Sequence, residues 1–445
     1  MTHSLEIYKN WFSDNPDITH ILAGIFDYNG VLRGKIMPVS KLDSLVTSGL
    51  KMPLSIQILD IFGHDIENSP FVFETGDADS TAYITGRLPV RLPHLGQPTA
   101  LLMMAFDEQI SPHAVLTKQM ASQTNKQSLY CGVEMEFTLL SQTEQAFAPS
   151  LKTGKPPVGG NILSALHLDD YEALFGGIDE FCQSQNIKID TVTSEAGAGQ
   201  FEVTFQPKTD LCTLAEDILL FKYMVKAMAK SLGIKASFMA KPMTGEAGNG
   251  MHIHASLLDD ESDLNLFDEE ADKTGEATLR FAIGGLLSVM QEASLLFAPH
   301  MNSYRRLVPS AHAPIQICWG IDNRTAAIRI PDGPSKARRL EMRNAGADAN
   351  PYLLLMMLAY SMRQGIADKT EPPAPIIGNA YEKDDLQRIA GDMASAIALM
   401  AGSHALSAML GQALHKAYCD TKRQDYQAFM DHVPPFEFET LSEQL

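Results

Sequence analysis

Four short stretches of this chain alternate apolar with ionisable residues, the pattern of a β-strand with one oily and one polar face. In CGVEMEFTLL, Val133 and Met135 alternate with Glu134 and Glu136, so both carboxylates point the same way. The other stretches are QFEVTF, GMHIHASL and RRLEMR, whose polar positions are Glu202, His252, His254, Ser256, Arg339, Glu341 and Arg343. Carboxylates and imidazoles bind divalent cations, and arginines bind phosphate. The pattern therefore predicts a sheet whose polar face is a metal and anion cavity, which indicates an enzyme.

The length of the chain predicts two domains of unequal size, because 445 residues exceed what one core usually supports. We expect a small α+β domain over residues 15–108, with a turn at Tyr28–Gly30. A larger α/β domain should follow over residues 109–445, entered by a helix with Ser111 as N-cap and Pro112 at its first position.

Helical patterns interleave with the charged-face strands in the larger domain, which is typical of a two-layer α/β arrangement. A Gly/Pro-rich loop is predicted over residues 149–162. Helices are predicted at residues 4–14, 169–186, 213–232, 276–298, 350–367 and 385–410.

Composition limits the class of partner and the compartment. A formal net charge of −19 argues against nucleic acid and suits either solubility or the approach of cations. The five cysteines are scattered and contain no C-x-x-C, so a reducing cytoplasm is expected. The N-terminus lacks the apolar core of a signal peptide, and the apolar stretch NPYLLLMMLAYSMRQG is too short to span a bilayer, so no membrane partner is expected.

Carboxylates are concentrated around the first two charged-face strands. A lone E-x-E is usually a solvated strand face. In SEAGAGQFEVTF, however, Glu195 precedes a loop with two glycines, which permit close backbone approach, and the chain then returns to Glu202 on a strand. Several carboxylates in one cavity repel each other unless cations neutralise them. A divalent metal is therefore the economical interpretation.

The histidine and arginine segments each leave alternatives open. H-x-H at His252 and His254 is found in structural and zinc contexts as well. The arginines between Arg305 and Arg343 could form a solvated basic patch or could bind carboxylates and phosphoryl groups. The sequence has neither a P-loop nor a Rossmann glycine motif, so those modes of holding a nucleotide are excluded.

Together these segments resemble the glutamine synthetase superfamily. The matching blocks, in order over residues 15–440, are E-x-E, E-x6-E with QFE, N-G-M-H-x-H, N-S-Y-R-R-L-V-P, W-G-x-D-N-R-T with R-I-P, and R-R-x-E-x-R with A-N-P-Y. The resemblance implies a β-grasp-like N-terminal domain and a catalytic α/β domain with a curved antiparallel sheet. It also implies a homo-oligomer of stacked rings with active sites between neighbouring subunits.

The resemblance further implies the chemistry and the residues that carry it. Glutamate and ATP would form γ-glutamyl phosphate, which an amine then attacks. One Mg²⁺ or Mn²⁺ would bind Glu136, Glu195 and Glu202, and a second would bind Glu134, His252 and Glu341. The ATP phosphates would lie near His254, Ser256 and Arg339; the transferring phosphoryl group would contact Arg324, Arg329 and Arg339. Glutamate would be held by Arg306, Arg343 and Gly248.

Departures from the family pattern concern the amine. Ammonia-using members carry D-G-S-S, whose Asp deprotonates ammonium, whereas this chain has GLKMPLSIQ with Pro53 and Leu54. His312 replaces the flap Glu before A-P, and Ala247 replaces an Asn that contacts glutamate. The segments FDYNGVLRGK and WGIDNRT are similar to the γ-glutamylpolyamine synthetase branch.

These departures predict an organic amine, a polyamine or short alkylamine, as the acceptor. Glu195 or His312 would assist its deprotonation. The alternatives are a glutamine synthetase that uses ammonia and a catalytically silent paralogue that binds nucleotide or amine.

Overall fold

The computed structural model describes residues 4–122, 126–270, 273–308 and 313–445. The described residues fold into two sheets surrounded by helices. The helices are α1 Leu5–Asp14, α2 Leu42–Ser48, α3 Pro112–Ala121, α4 Ala165–Asp169, α5 Glu172–Ser184, α6 Leu211–Ser231, α7 Gly275–Val289, α8 Ser294–Phe297, α9 Pro351–Asp368, α10 Met393–Gly402, α11 His404–Leu410, α12 Gln412–Met430 and α13 Pro435–Leu441.

The first sheet has six strands. They are β1 His20–Phe26, β2 Leu32–Pro38, β3 Leu50–Pro53, β4 Asp79–Ile84, β5 Val90–Arg91 and β6 Thr99–Phe106, in the order β2-β1-β6-β4-β3 with β5 also on β6. Strand β6 is buried along its whole length because each of its two faces packs into a different hydrophobic core. Leu102 and Met104 pack into a small core with α1 and α2, whereas Leu101 and Met103 join the main core of the chain.

The second sheet has eight strands. They are β7 Gln127–Ser141, β8 Ile189–Ser194, β9 Gln200–Lys208, β10 Ile234–Ser237, β11 Met251–Asp259, β12 Trp319–Ile321, β13 Ile328–Ile330 and β14 Leu340–Met342. Their order is β12-β13-β14-β11-β7-β9-β8, with β10 also on β7. All these pairs are antiparallel except β12 with β13.

The apolar face of the second sheet lies in the main core. Met135, Val203 and Ile253 are among the buried residues of this face, and helix α6 packs on β7 and β10 while α9 packs against α6 and α7. Because strand side chains alternate, burying these residues sends the ionisable ones to the opposite face. The core thus fixes the orientation of the site.

Most of the predicted helices are found in the structure. Ser111 caps α3 by accepting a hydrogen bond from Ala114 N, with Pro112 at the first position. The prediction of one helix over 276–298 was wrong, because α7 ends at Val289 and α8 is a separate turn. The prediction over 385–410 was also wrong at its start: Ile389 N donates to Ile315 O, so residues before Asp392 pair with another backbone segment.

The two sheets separate along the chain between residues 106 and 127. The predicted division into domains at residues 108 and 109 stays a prediction. Among the described residues, no single helix has the length and apolar character needed to cross a membrane; α10 and α11 meet that test only jointly, with a 76° bend between them.

Candidate active site

Strand pairing brings the predicted ligands together on one face of the second sheet. On neighbouring strands His252 lies opposite Glu134, and Glu202 lies opposite Glu136. Glu341 lies opposite both His254 and Arg329. Residues directly opposite on neighbouring strands share a face, so these side chains form one continuous polar surface.

Two groups of side chains on this surface could hold a metal ion. One comprises Glu134, Glu202 and His252, and the other comprises Glu134, His254 and Glu341; within each group the donor atoms lie within 4.8 Å of one another. Glu134 is shared, since its two oxygens lie 3.1 Å from His252 Nδ1 and 2.9 Å from His254 Nε2. The geometry therefore unites four of the predicted metal ligands and adds His254 to them.

The electrostatics of these groups fit a divalent cation. Burial and the nearby charges of Glu134, Glu136, Glu195 and Glu341 raise the pKa of Glu202 to about 9. Burial and the charge of Glu136 likewise raise the pKa of Glu195. Carboxyl oxygens and imidazole nitrogens crowded in this way are the donor set of Mg²⁺ or Mn²⁺, whose charge would relieve the repulsion.

Two other carboxylates of the site are held in the charged form. Burial opposes ionisation of Glu134, but hydrogen bonds with His252 and His254 bring its pKa well below the usual range. Glu341 is 1% exposed, and although burial opposes its ionisation, the charges of Arg343, His252 and His254 together lower its pKa. Arg329 Nη1 also lies 2.9 Å from Glu341 Oε2. These partners keep both carboxylates ready to act as ligands.

Glu136 and Glu195 stand beside the two ligand groups. Glu136 Oε2 accepts hydrogen bonds from Gly250 N at 2.5 Å and from Gln200 Nε2 at 3.3 Å. Gln200 is buried and also donates to Gly248 O at 2.9 Å, so it ties β9 to the loop before β11. Gln200 was not predicted from the sequence as a site residue, although Gln200 is the first residue of the QFE block.

The residues predicted to hold the acid substrate also cluster. Arg306 is buried, donates to Asn344 O at 2.9 Å, and passes close to two glycines. A Cβ at Gly248 would lie 2.9 Å from Arg306 Cγ, and one at Gly250 would lie 2.7 Å from Arg306 Nη2. Arg343 is also buried and pairs with Glu341 through Nη1. Two buried guanidinium groups thus border the metal-ligand cluster.

The predicted phosphate residues line the same face. Arg339 Nε lies 3.2 Å from His254 Nδ1, and Arg329 also pairs with Asp322 at 2.6 Å, a partner not foreseen from the sequence. Arg324 is exposed and its charge acts on Glu195. A cavity of about 480 Å³ opens beside them and is lined by residues that include Tyr130, Phe205, His254, Ser256, Lys336 and Arg339.

Two predictions about the amine end of the site have different outcomes. His312 lies outside the described residues, so its role stays a prediction. The segment GLKMPLSIQ has no carboxylate of its own, but folding brings one to it. Asp77 Oδ1 accepts a hydrogen bond from Ser55 Oγ at 2.7 Å. Asp77 stands 22 residues away along the chain, so no local motif could have shown it.

Comparison with known proteins identifies the family. The family model described as the catalytic domain of glutamine synthetase matches residues 109–441. Gamma-glutamylputrescine synthetase PuuA of Escherichia coli (strain K12) is 31% identical to this chain. The aligned region covers 85% of this chain and 82% of the PuuA chain. Glutamine synthetase of Pyrococcus abyssi is 30% identical, covering 92% of this chain and 90% of its own. The chain belongs to the glutamine synthetase family and is a ligase of that family.

Solved structures share the whole fold. A structure of GmaS in complex with ADP superposes on this chain with a TM-score of 0.84 at 24% identity. The alignment covers 100% of both chains. A second, described as a novel glutamine synthase homolog, has a TM-score of 0.79 at 21% identity, covering 95% of this chain and 97% of its own. The predicted fold class and the predicted resemblance, including its polyamine branch, are confirmed. Enzymes of this family use ATP, divalent metals, glutamate and an amine.

Proposed function

We propose that this protein is an ATP-dependent ligase that joins the γ-carboxyl of glutamate to an organic amine, a polyamine or short alkylamine, through γ-glutamyl phosphate. The observation that carries this is the convergence on one sheet face of crowded carboxylates, imidazoles and buried guanidinium groups. Phosphoryl transfer asks a protein chiefly for positioning and charge neutralisation, which these groups supply.

The nucleotide would occupy the 480 Å³ cavity. Tyr130 offers a ring surface there, while His254, Ser256 and Arg339 offer polar contacts at the end nearest the carboxylates. One solved structure with this fold, GmaS, is a complex with ADP, which supports a nucleotide as a ligand. Arg324, Arg329 and Arg339 would stabilise the charge on the transferring phosphoryl group.

Glutamate would lie between this cavity and the buried arginines. Arg306 and Arg343 would hold its carboxylates, with Gly248 leaving room for the backbone to approach. Mg²⁺ or Mn²⁺ would be held by Glu136, Glu195 and Glu202 and by Glu134, His252 and Glu341, and would neutralise developing negative charge. His254 is a further candidate ligand.

An exposed apolar surface beside Glu195 supports an amine with a carbon chain. Its side chains, which we name the apolar rim, are Val158, Ile162, Leu163 and Leu166, all exposed. The loop is fixed to the strand before Glu195, since Leu163 N donates to Ser194 O at 2.7 Å. Clustered exposed apolar side chains often mark a binding surface. Glu195, assisted by His312, would take the proton from the amine that attacks.

The relatives support two acceptors. The name of the Escherichia coli relative contains putrescine, in agreement with an organic amine. The Pyrococcus relative is a glutamine synthetase, which supports ammonia as the second candidate. The proline and leucine at positions 53 and 54 favour the first.

The test is ADP release with glutamate and a panel of ammonia, methylamine, ethanolamine, putrescine and spermidine. We expect kcat/KM for the best organic amine to exceed that for ammonia by about tenfold or more. A preference for ammonia would establish the second candidate. Calorimetric binding of amine without ADP release across the panel would establish the silent paralogue.

A variant of the apolar rim tests whether this surface selects amines by the length of their carbon chain. Ile162→Ser should lower kcat/KM for the longest accepted amine and spare the shortest, because each methylene group of the amine that is no longer buried costs about 0.8 kcal/mol. Ile7→Ser, at an exposed position on α1, is the matched control and should leave the profile unchanged. Equal losses for all amines with Ile162→Ser would contradict a role of the rim in specificity.

A further inference from the structure

Two buried polar atoms near the acid-substrate residues have no hydrogen-bond partner among the described residues. They are the hydroxyl oxygen of Tyr381 and Nε of Arg343. Nearly all buried polar groups in folded proteins are paired, so an unpaired donor beside a binding site indicates a ligand that is absent from the structure. Arg343 already uses Nη1 for Glu341, which leaves its Nε free for another acceptor.

Tyr381 is held in place by its backbone. It lies in the 3-10 helix Ala380–Glu382, where Asn379 Oδ1 accepts from Tyr381 N at 3.1 Å. Ala380 N donates to Thr325 Oγ1 at 2.9 Å, which ties this turn to the segment that carries Arg324. The ring is therefore anchored from both sides while its hydroxyl stays unpaired.

The turn that carries Tyr381 lies beside the backbone next to both buried arginines. Ala380 packs with Ala326 in a small buried cluster, and the next residue, Ala327, accepts a hydrogen bond from Arg343 N at 3.0 Å. Arg306 Nη1 in turn donates to Asn344 O, next to Arg343, at 2.9 Å. Burial raises the pKa of Tyr381, and the charges of Arg343 and Arg306 oppose that rise. These contacts bring three donors to one region of the site: Arg306, Arg343 and the buried, unpaired phenol. A carboxylate is the acceptor that suits them, since its two oxygens offer about four lone-pair positions.

We infer that Tyr381 is a binding residue for the amino-acid substrate and donates its hydroxyl hydrogen to the carboxylate that Arg306 and Arg343 hold. This inference rests on the proposed function and adds a residue outside the motifs of the sequence. A neutral donor adds a hydrogen bond of fixed direction without adding charge to a region where two guanidinium groups already lie together.

Tyr381→Phe tests this by removing only the hydroxyl. In the ligand-free protein the Tm should stay equal or rise, because the lost group was buried and unpaired. The rise in Tm that glutamate causes, measured with ADP and Mg²⁺ at fixed concentrations, should shrink. The KM for glutamate should increase about tenfold or more, as expected for a lost hydrogen bond to a charged group. The KM values for ATP and for the amine should stay within about twofold.

Tyr304→Phe is the matched control. Its hydroxyl is also buried and unpaired, but it lines a different cavity with Met301, Asp392 and Tyr426. This variant should keep the wild-type response to glutamate. If Tyr381→Phe does the same while wild-type protein responds normally, the inference is overturned and the proposed function stands. If wild-type protein gives neither a Tm shift nor turnover with glutamate, both are overturned.

Discussion

Glu202 lies where a negative charge on its side chain is unfavourable. It points from β9 into a group of carboxylates that repel it, and burial removes the water that would screen that repulsion. A protein without a role for this charge would gain by replacing it. The unfavourable arrangement is consistent with the cation site proposed above.

The first prediction concerns this residue. Glu202→Gln should lower kcat/KM by about 100-fold or more, because a ligand to a metal that supplies several kcal/mol is lost. The same change should leave the Tm of EDTA-treated protein unchanged or higher, since the neutral amide replaces a carboxyl whose ionisation burial and its neighbours already oppose. Activity and Tm measured over a Mg²⁺ and Mn²⁺ titration would show both effects.

Glu180→Gln, on the exposed face of α5, is the control for loss of one negative charge. It should change neither activity nor the metal-induced rise in Tm. A Glu202→Gln protein with wild-type metal response would remove Glu202 from the ligand set.

At the scale of elements, the loop that leads into β11 packs tightly against the site and leaves little room for added volume. Gly250 N donates to Glu136, and Gly250 O accepts from Glu136 N at 3.0 Å, so this residue joins β11 to β7 at the site. Arg306 crosses directly over it. Glycine is required here by close approach and not by backbone conformation.

The second prediction follows from that contact. Gly250→Ala would place a Cβ 2.7 Å from Arg306 Nη2 and 3.1 Å from His252 Nε2, so Arg306 must move. We expect the KM for glutamate to rise about tenfold or more, because a displaced guanidinium loses a charge-assisted contact. Steady-state kinetics with glutamate as the varied substrate would measure this.

Gly391→Ala is the matched control, since a Cβ there meets nothing within 4 Å. It should leave the KM for glutamate unchanged. An unchanged KM in Gly250→Ala would show that Arg306 is not held where the acid substrate binds.

At the scale of the whole molecule, α12 connects the C-terminal helices to the part of the chain that forms the first sheet. Lys422 is 0% exposed and donates to Asn29 Oδ1 at 2.5 Å and to Asp425 Oδ2 at 2.9 Å. Asp425 in turn accepts from Ile61 N at 2.8 Å. Residues at opposite ends of the chain thus share one buried polar network.

The third prediction is that Lys422→Ala destabilises the protein by about 3–5 kcal/mol, because it leaves the Asp425 carboxylate buried without its cation. Thermal unfolding should show a clearly lower Tm. Lys416→Ala on the same helix removes an exposed i,i+4 pair with Asp420 and should cost only about 0.3–0.5 kcal/mol. Equal Tm values for the two variants would contradict a structural role of the buried network.

The fourth prediction concerns assembly, which the family resemblance implies as stacked rings of this chain. A charged cavity needs a cover that excludes water from an acyl phosphate, and the domain of a neighbouring subunit would provide it. Light scattering during turnover should therefore show activity only in the oligomer. Mixing Glu136→Ala chains with chains altered at residues 53–55 should restore activity, whereas a fully active monomer would refute shared sites.

The sequence alone determined the polar face of the second sheet. The period-two alternation around Glu134, Glu202, His252 and Glu341 specifies which side chains share a face, because a strand offers only two. Local capping chemistry likewise determined the start of α3 at Ser111. Both are properties of a few adjacent residues, so they can be read without knowing the rest of the fold.

Only the tertiary structure decided what meets across that face. Packing of distant segments placed His254 in a candidate metal-ligand group, brought Asp77 to Ser55, and set the turn of Tyr381 beside the backbone that pairs with Arg343. It also gave residues 387–389 a backbone partner in place of a helix. These contacts join residues far apart along the chain, and such pairings depend on how whole elements pack, which no local pattern of residues encodes.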